Sequence, residues 1–449
     1  MLKTVQSFIS QLLKPQFWGD DVKEVKLIQT HTSWVFLTGK YAYKIKKPVF
    51  FGFLDYTSIS AREYFCHEEF RINQRLAPEI YYEVIPVYRK DSFITIFPHK
   101  NESYEIIDYA IKMRELPQDA IMTNCLKNNQ VTYSTIDEIA KIIARFHRES
   151  ESNETLHKFG SLEIVKYNWD ENFVQTEEFQ DITISKKIFL RIQKSVEKFM
   201  SEHQKLFDHR IQDNKIKQCH GDLHSRNIFV ADKVYIFDCL EFNPRFACSD
   251  VASEVAFFVM DLEFYNHKEL ADFFIARYLH YTNDWEMLKL LDFYKCYRAY
   301  VRGKVTSFNL KDPGISKQDK KQAQTSAQAY FELAYKYAQN FFNQPKLIMI
   351  MGLPGVGKTY LAQHLSKEIQ SYHLCTDIIR KEITNTPIEM HRFEGYGKGI
   401  YTFEVSKQTY EEMYHRTTNY LRQRKSCIVD ATFSLQKSRD KVKAIAKKN

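Results

Sequence analysis

Glycine is scarce in this 449-residue chain, thirteen residues in all. Where glycine is rare, a cluster of it marks backbone that must come close to something. Six of the thirteen fall in two short stretches: Gly352, Gly355 and Gly357, then Gly395, Gly397 and Gly399. The chain also lacks any C-x-x-C pair, and no histidines stand near its cysteines at zinc-finger spacing, which argues against a structural zinc. The eight cysteines (Cys66, Cys125, Cys219, Cys239, Cys248, Cys296, Cys375, Cys427) mostly sit inside apolar segments and read as reduced core thiols of a cytoplasmic protein. No apolar run approaches the roughly 20 residues needed to span a bilayer, so no membrane role is expected. The opening MLKTVQSFISQLLKP has no signal-peptide core or cleavage site; Leu2, Val5, Phe8, Ile9, Leu12 and Leu13 space as one helical face. Long Lys/Arg runs are missing too, so no nucleic-acid stripe is expected. The net charge of +8 suits a phosphate-handling protein and equally suits ordinary surface lysine. No internal repeat or low-complexity tract is present.

What is present is globular: 44% of residues are hydrophobic and 15% aromatic, in a chain too long for one core. Two or three domains are expected. Early alternation predicts strands over Val22–Gln29, Trp34–Thr38 and YAYKIKK, the last carrying Lys44. Thr57–Leu76 reads as a helix with Glu68 and Glu69. Tyr81–Val87 and Ser92–Phe97 return to strand, and Tyr109–Leu116 reads as a crossing into a larger helical lobe. There Ile136–His147, Ile184–Phe207, Ser249–Leu262, Glu269–His280 and Trp285–Phe308 show helical periodicity. Ser249 or Asp250 suits the N-cap of the third of these. Asn309–Thr325 is polar with a Pro-Gly breaker and reads as a surface excursion. Asn343-Gln344-Pro345 marks a boundary.

The most chemically loaded stretch is QCHGDLHSRNIFVADKVYIFD, Gln218 to Asp238. Ile228–Val230 and Val234–Phe237 predict a hairpin turning at Ala231–Lys233, with Asp222 on the loop before it and Asp238 at its end. Asp222 and Asn227 have the D-x4-N spacing of a kinase catalytic loop. Asp222 would take the proton of an acceptor hydroxyl. Asn227 and Asp238 would hold magnesium on a nucleotide, since hard oxygen ligands suit that ion and imidazole does not. His220 and His224 would brace the loop. Lys44, taken alone, reads more readily as a solvated lysine; the downstream residues give it weight.

HGDLHSRN followed by YIFD resembles the signature of the aminoglycoside phosphotransferase and choline-kinase-like families, small-molecule relatives of protein kinases. With SWVFLTGKYAYKIKKPV and DVASEVAFFVMDLEF, the chain resembles a narrower bacterial group that joins such a domain to a P-loop ATPase or kinase domain. The resemblance implies Lys44 as the ATP lysine, Glu69 as its helix partner, Asp222 as the base, and Asn227 and Asp238 as metal ligands. One departure stands out: the loop between Gln29 and Trp34 has no glycine, so any phosphate lid there must use hydroxyls and backbone NH groups. Only eleven residues separate Asp238 from Asp250, too few for a peptide-holding activation segment, which favours a small acceptor. Arg298, Arg302 and Lys304 share the helix YKCYRAYVRGK. If they line the pocket, an anionic or neutral acceptor is favoured over a polycation; as a solvated helix face they say nothing.

GLPGVGKT, Gly352 to Thr359, follows an apolar strand and opens a helix, the context a P-loop requires. Backbone NH groups would cradle phosphates, Lys358 would reach the outer ones and Thr359 would hold magnesium. SCIVD ends in Asp430, the pattern of a second magnesium-site carboxylate. Asp377 and Arg380 resemble acceptor-side residues of P-loop kinases, though Asp377 would also serve as a helix N-cap. GYGKGIY, Gly395 to Tyr401, reads as a loop near the acceptor. The residues after Pro345 suffice for three parallel strands and their helices. A shortened domain is therefore expected, its P-loop strand left at an edge.

The expected architecture is an α+β protein-kinase-like domain followed by a shortened α/β P-loop domain. The first has a small β-rich lobe over 1–112 and a helical lobe over 113–343; the second covers 344–449. The expected activity is ATP- and Mg2+-dependent phosphoryl transfer to a small-molecule hydroxyl, in the cytoplasm, without nucleic-acid or membrane partners. Two alternatives stay open: a nucleotide-binding regulator without turnover, and a kinase acting on a macromolecule.

Overall fold

The computed structural model describes residues 2–52, 54–312, 314–390, 394 and 397–449, with side chains from residue 6 onward. Gly395 and Tyr396 of the GYGKGIY stretch, and Pro313 of the polar excursion, lie outside the described residues. The chain groups into two compact units. One comprises residues 1–125 and 218–249, the other 126–217 and 250–449. The stretch bearing Asp222 and Asp238 therefore packs with the N-terminal sheet.

That sheet has six antiparallel strands: β1 Lys26–Gln29, β2 Ser33–Leu37, β3 Tyr41–Lys46, β4 Tyr81–Lys90, β5 Phe93–Thr95 and β6 Glu105–Arg114. Their order is β1-β2-β3-β6-β4-β5. The expected crossing at Tyr109–Leu116 is instead the end of β6, a central strand between β3 and β4. Its residues from Asp108 to Met113 are largely buried on both faces, which erases the two-residue alternation that marks a strand in sequence. One face of the sheet carries Trp34, Phe36, Tyr43 and Ile45, covered by Leu12, Phe17 and Trp18. The other carries Leu37, Ala42, Ile111 and Met113, and is covered in part by Cys66, Phe229 and Tyr235. Lys44 and Lys46 alternate with Tyr43 and Ile45, so both fall on this second side. The helix there, Ile59–Asn73, starts at Ser58, whose hydroxyl accepts from the Ala61 amide.

The second unit is mostly helical. The predicted helix over Ile184–Phe207 is two, Lys186–Glu202 and Gln204–Gln212, broken at His203. Asp250 is the N-cap of the Val251–Phe264 helix, its carboxylate accepting from Ala252. The same carboxylate forms a two-pronged ion pair with the buried Arg210, 2.8 and 2.7 Å, and Asp284 takes the third guanidinium nitrogen at 2.5 Å. The polar excursion is shorter than expected, because the Lys317–Asn340 helix begins inside it on an N-cap at Ser316.

The C-terminal part of this unit is a parallel three-stranded sheet. Leu347–Met351 pairs with Cys427–Ala431, which pairs with Tyr372–Cys375. Among the described residues the P-loop strand lies at the edge of this sheet. Lys268 and Lys425 tie this sheet to the helices: Lys268 Nζ donates to the Ser371 carbonyl at 2.9 Å, and Lys425 Nζ to Asp292 at 2.5 Å. All eight cysteines are buried and unpaired to one another. No described helix is long and apolar enough to cross a membrane.

Candidate active site

Ile228–Val230 and Val234–Ile236 form the antiparallel hairpin read from the sequence. Before it, the chain turns sharply at Gly221, where φ is +85° and a Cβ would stand 3.0 Å from the Phe246 carbonyl. Only glycine suits both the dihedral and the space. The two histidines brace the loop that follows. His220 Nδ1 accepts from the Asp222 amide at 3.2 Å, so its Nε2–H donates to the Phe237 carbonyl at 2.8 Å. His224 Nδ1 accepts from the Arg226 amide, which turns Nε2 toward Asp222 Oδ2 at 3.3 Å. Asn227 Nδ2 donates to the Asp222 carbonyl (2.9 Å) and carboxylate (3.1 Å), so its Oδ1 is the atom able to ligate a cation.

Asp238 lies beyond the end of the hairpin at φ +68°, a left-handed conformation that costs a non-glycine residue energy and fixes where its carboxylate points. Lys44 joins it to the helix. Its Nζ lies 2.6 Å from Asp238 Oδ1 and 2.8 Å from Glu69 Oε1. The expected lysine, helix glutamate, loop aspartate, asparagine and end-of-hairpin aspartate therefore all belong to one compact unit.

Sequence reasoning missed the other half of this network. Lys46, 1% exposed, donates to Glu69 Oε2 at 2.7 Å and also pairs with Glu241. The Tyr56 hydroxyl donates to the same Glu241 carboxylate. Two residues on from Lys44, Lys46 reaches the same buried glutamate through its other oxygen. Asn73 adds a clasp, donating to the Glu69 carbonyl and accepting from the Cys239 amide. Burial alone would raise the Glu69 carboxyl, but the two lysines outweigh it and hold Glu69 down at about 2. Burial leads the opposite shift at Glu241, whose carboxyl is raised. Both ammonium groups are held charged against burial by their carboxylate partners, Asp238 and Glu69 for Lys44, Glu241 and Glu69 for Lys46. The available signal was the second lysine in YKIK and the glutamate of DCLE; nothing local says they are buried together.

The P-loop runs Gly352 to Thr359, with Gly355 and Gly357 at φ +82° and +86°. Gly357 caps the Lys358–Glu368 helix. Lys358 Nζ donates to the Leu353 carbonyl at 2.7 Å. Thr359 Oγ1 donates to Asp430 Oδ2 at 2.6 Å, bringing together the two expected magnesium-site residues. Burial would raise the Asp430 carboxyl, yet hydrogen bonds from His373 and Thr359 leave it below its ordinary value.

The expected acceptor-side residues fare differently. Cys375, not Asp377, is the N-cap of the Thr376–Ile383 helix; Asp377 is half exposed and lies 3.1 Å from Lys381. Arg380 is buried, its Nη1 committed to the Ile400 carbonyl and the Ser406 hydroxyl, so it ties down a neighbouring turn. Arg298 is also buried, its Nε donating to the carbonyl and hydroxyl of Ser253. Arg302 lies over the Tyr330 ring, and Lys304 donates to Asn172 and Gln175. Arg298 and Lys304 are buried and Arg302 is half-buried, so these three cations are not a solvated face.

Residues 347–449 match the family model of the AAA domain. Over 406 residues, 90% of this chain and 78% of theirs, the chain is 29% identical to uncharacterised proteins of Mycobacterium bovis and Mycobacterium tuberculosis. Among solved structures it is similar to an ethanolamine kinase of Plasmodium vivax, with a TM-score of 0.41 and 16% identity over 73% of this chain and 86% of that one. It is also similar to a choline/ethanolamine kinase family protein of Mesorhizobium loti, with a TM-score of 0.43 and 11% identity over 76% and 99%. An aminoglycoside phosphotransferase of Alicyclobacillus acidocaldarius gives 0.38 and 10% over 71% and 91%. The chain thus combines an antiparallel-sheet lobe and a helical body with a C-terminal parallel-sheet domain that carries the P-loop and matches the AAA model.

Proposed function

We propose that this protein is an ATP- and Mg2+-dependent phosphotransferase acting on a small-molecule hydroxyl, fused to a P-loop domain that binds a second nucleotide. The observation that carries the reading is Lys44, held between Glu69 and Asp238 in the unit that also contains Asp222 and Asn227. Bound ATP·Mg2+ supplies the phosphoryl group. Asp222 accepts the proton of the acceptor hydroxyl and orients it for in-line attack. Asn227 Oδ1 and Asp238 hold the cation, and Lys44 steadies the phosphates. His224, donating toward Asp222, keeps that carboxylate in place. In the P-loop domain, Lys358 and Thr359 with Asp430 serve the second nucleotide. The short span between Asp238 and Asp250 favours a small acceptor over a protein. We take 1–112, 113–343 and 344–449 as the functional domains, in a cytoplasmic protein without nucleic-acid or membrane partners.

The test is a screen of acceptors with γ-labelled ATP, covering amino sugars, sugars, nucleotides and bulk protein. Label is expected on one small-molecule class, lost in Asp222→Asn. Label mainly on protein, or ATP consumption unchanged in Asp222→Asn, would overturn the reading.

A further inference from the structure

The sheet of the P-loop domain assembles three donors that neither phosphate motif uses as a set. His373 and Cys375 stand two apart on the Tyr372–Cys375 strand, so their side chains leave the same face. Asp430 is the register partner of Cys375 on the neighbouring strand. The imidazole Nε2 lies 3.4 Å from Asp430 Oδ2. One donor atom from each of the three residues falls within 4.8 Å of the other two. The group is secluded: Cys375 is 6% exposed and Asp430 2%.

We propose that His373, Cys375 and Asp430 form a binding site for a borderline-soft divalent transition-metal ion of the zinc type. One nitrogen, one sulfur and one carboxylate oxygen make a donor set that selects such an ion; magnesium and calcium take oxygen and leave thiolate and imidazole aside. With metal–ligand bonds of about 2.0–2.3 Å, tetrahedral ligation puts donors about 3.3–3.6 Å apart, a closing that side-chain torsions supply from the observed spacing. Cys375 is the N-cap of the Thr376–Ile383 helix; burial and the neighbouring Asp430 push its thiol up to about 11 against the pull of the Asp377 and Ile378 amides, so a bound ion must displace the thiol proton. Ligation forms a sulfur–metal bond and releases the thiol proton to water. Three protein ligands leave the fourth position to water or another small ligand.

The location gives the site a consequence that rests on the P-loop reading above. Asp430 Oδ2 already accepts from Thr359. An ion that draws Asp430 toward His373 and Cys375 takes it from the magnesium site. Occupancy by a soft metal then opposes binding of the Mg2+–nucleotide by the P-loop, so this part of the protein is inhibited by zinc-type ions.

The test uses the reduced full-length chain titrated with Co2+ alone. The expected result is one equivalent bound with a thiolate-to-cobalt charge-transfer band. That band is lost in Cys375→Ser, weakened in His373→Gln and retained in Cys427→Ser, a neighbouring buried thiol outside the cluster. X-ray absorption at the zinc edge of the unmodified chain, loaded with one equivalent of Zn2+, should show one sulfur among nitrogen and oxygen ligands. No band, a band surviving Cys375→Ser, or zinc without sulfur overturns the site. Because neither readout needs nucleotide, a chain that binds Co2+ this way but fails to bind ATP at the P-loop overturns only that reading and its inhibitory consequence.

Discussion

The two phosphate-type constellations of this chain are built in opposite ways. Around Asp222, the work is done by charges far apart in sequence and buried together. Lys44 meets Asp238 across 194 residues and Lys46 meets Glu241 across 195, with Glu69 wholly buried between the lysines. In the P-loop, eight consecutive residues make most of the site, with Asp430 joining from a neighbouring strand, and its tip is open: Leu353 is 75% exposed and Val356 62%. The first site is a matter of tertiary packing, where removing one charge strands another in low dielectric. The second is a matter of backbone conformation, where glycine dihedrals and amide groups do the shaping. One is therefore tied to the stability of its unit and the other is almost separable from it.

Substitution at the two centres breaks this comparison most sharply. Asp222→Asn keeps shape and loses the proton acceptor, so phosphotransfer should fall about 10²–10⁴-fold with little change in nucleotide affinity. Lys358→Ala should leave that turnover within a few-fold and remove one of two ATP-binding events seen by calorimetry. Equal losses of turnover in both variants would mean the P-loop is the seat of catalysis.

The next largest effect is on stability. Lys46→Met leaves Glu241 and one oxygen of Glu69 without their ammonium partner, a loss of about 3–5 kcal/mol for breaking a buried pair. The double variant Lys46→Met/Glu241→Leu should recover much of it, because no orphaned charge remains on that side. Urea unfolding of four proteins, the wild type, Lys46→Met, Glu241→Leu and the double variant, decides this. Additive losses would show that Lys46 and Glu241 act independently, contrary to their shared hydrogen bond.

Acid should find the same network. Glu69 is held at about 2 in the folded chain against an ordinary 4.5, so its contribution is complete above about pH 4.5 and lost as pH falls toward 2. Its size is on the order of 3 kcal/mol. Glu241 runs the other way: its folded carboxyl is raised by burial, so its contribution belongs to low pH and declines as pH rises, softening the net loss. A Glu69→Gln variant should show a flatter stability profile between pH 4.5 and 2. An unchanged slope would place the acid-labile group elsewhere.

This contrast also explains what could be read from residues alone. The P-loop and its flanking strand and helix were legible because motif and context are contiguous. The hairpin and the D-x4-N loop were legible for the same reason. Lys46 and Glu241 were not, since a lysine in YKIKK looks like surface until the fold buries it. The central strand β6 was misread because burial on both faces removes its alternation. Arg380 was read by position in a motif, and position did not reveal that its guanidinium links the turn at Ile400 to Ser406 on the Phe403–Arg422 helix.

The smallest effect sharpens the comparison from the P-loop side. Thr359→Val removes one hydrogen bond, the donation to Asp430 Oδ2, while His373 stays near that oxygen. The stability cost should be about 0.5–1.5 kcal/mol, well below that of Lys46→Met, because no charge is stranded. Nucleotide affinity in Mg2+ should fall at the P-loop only, while turnover at the Asp222 centre holds. The unfolding midpoint and a Mg2+-dependent ATP titration are read on the same sample. A stability loss as large as that of Lys46→Met would mean that Asp430 is as deeply committed to its unit as Glu69 is, and the two sites would then differ in sequence span but not in how they are held.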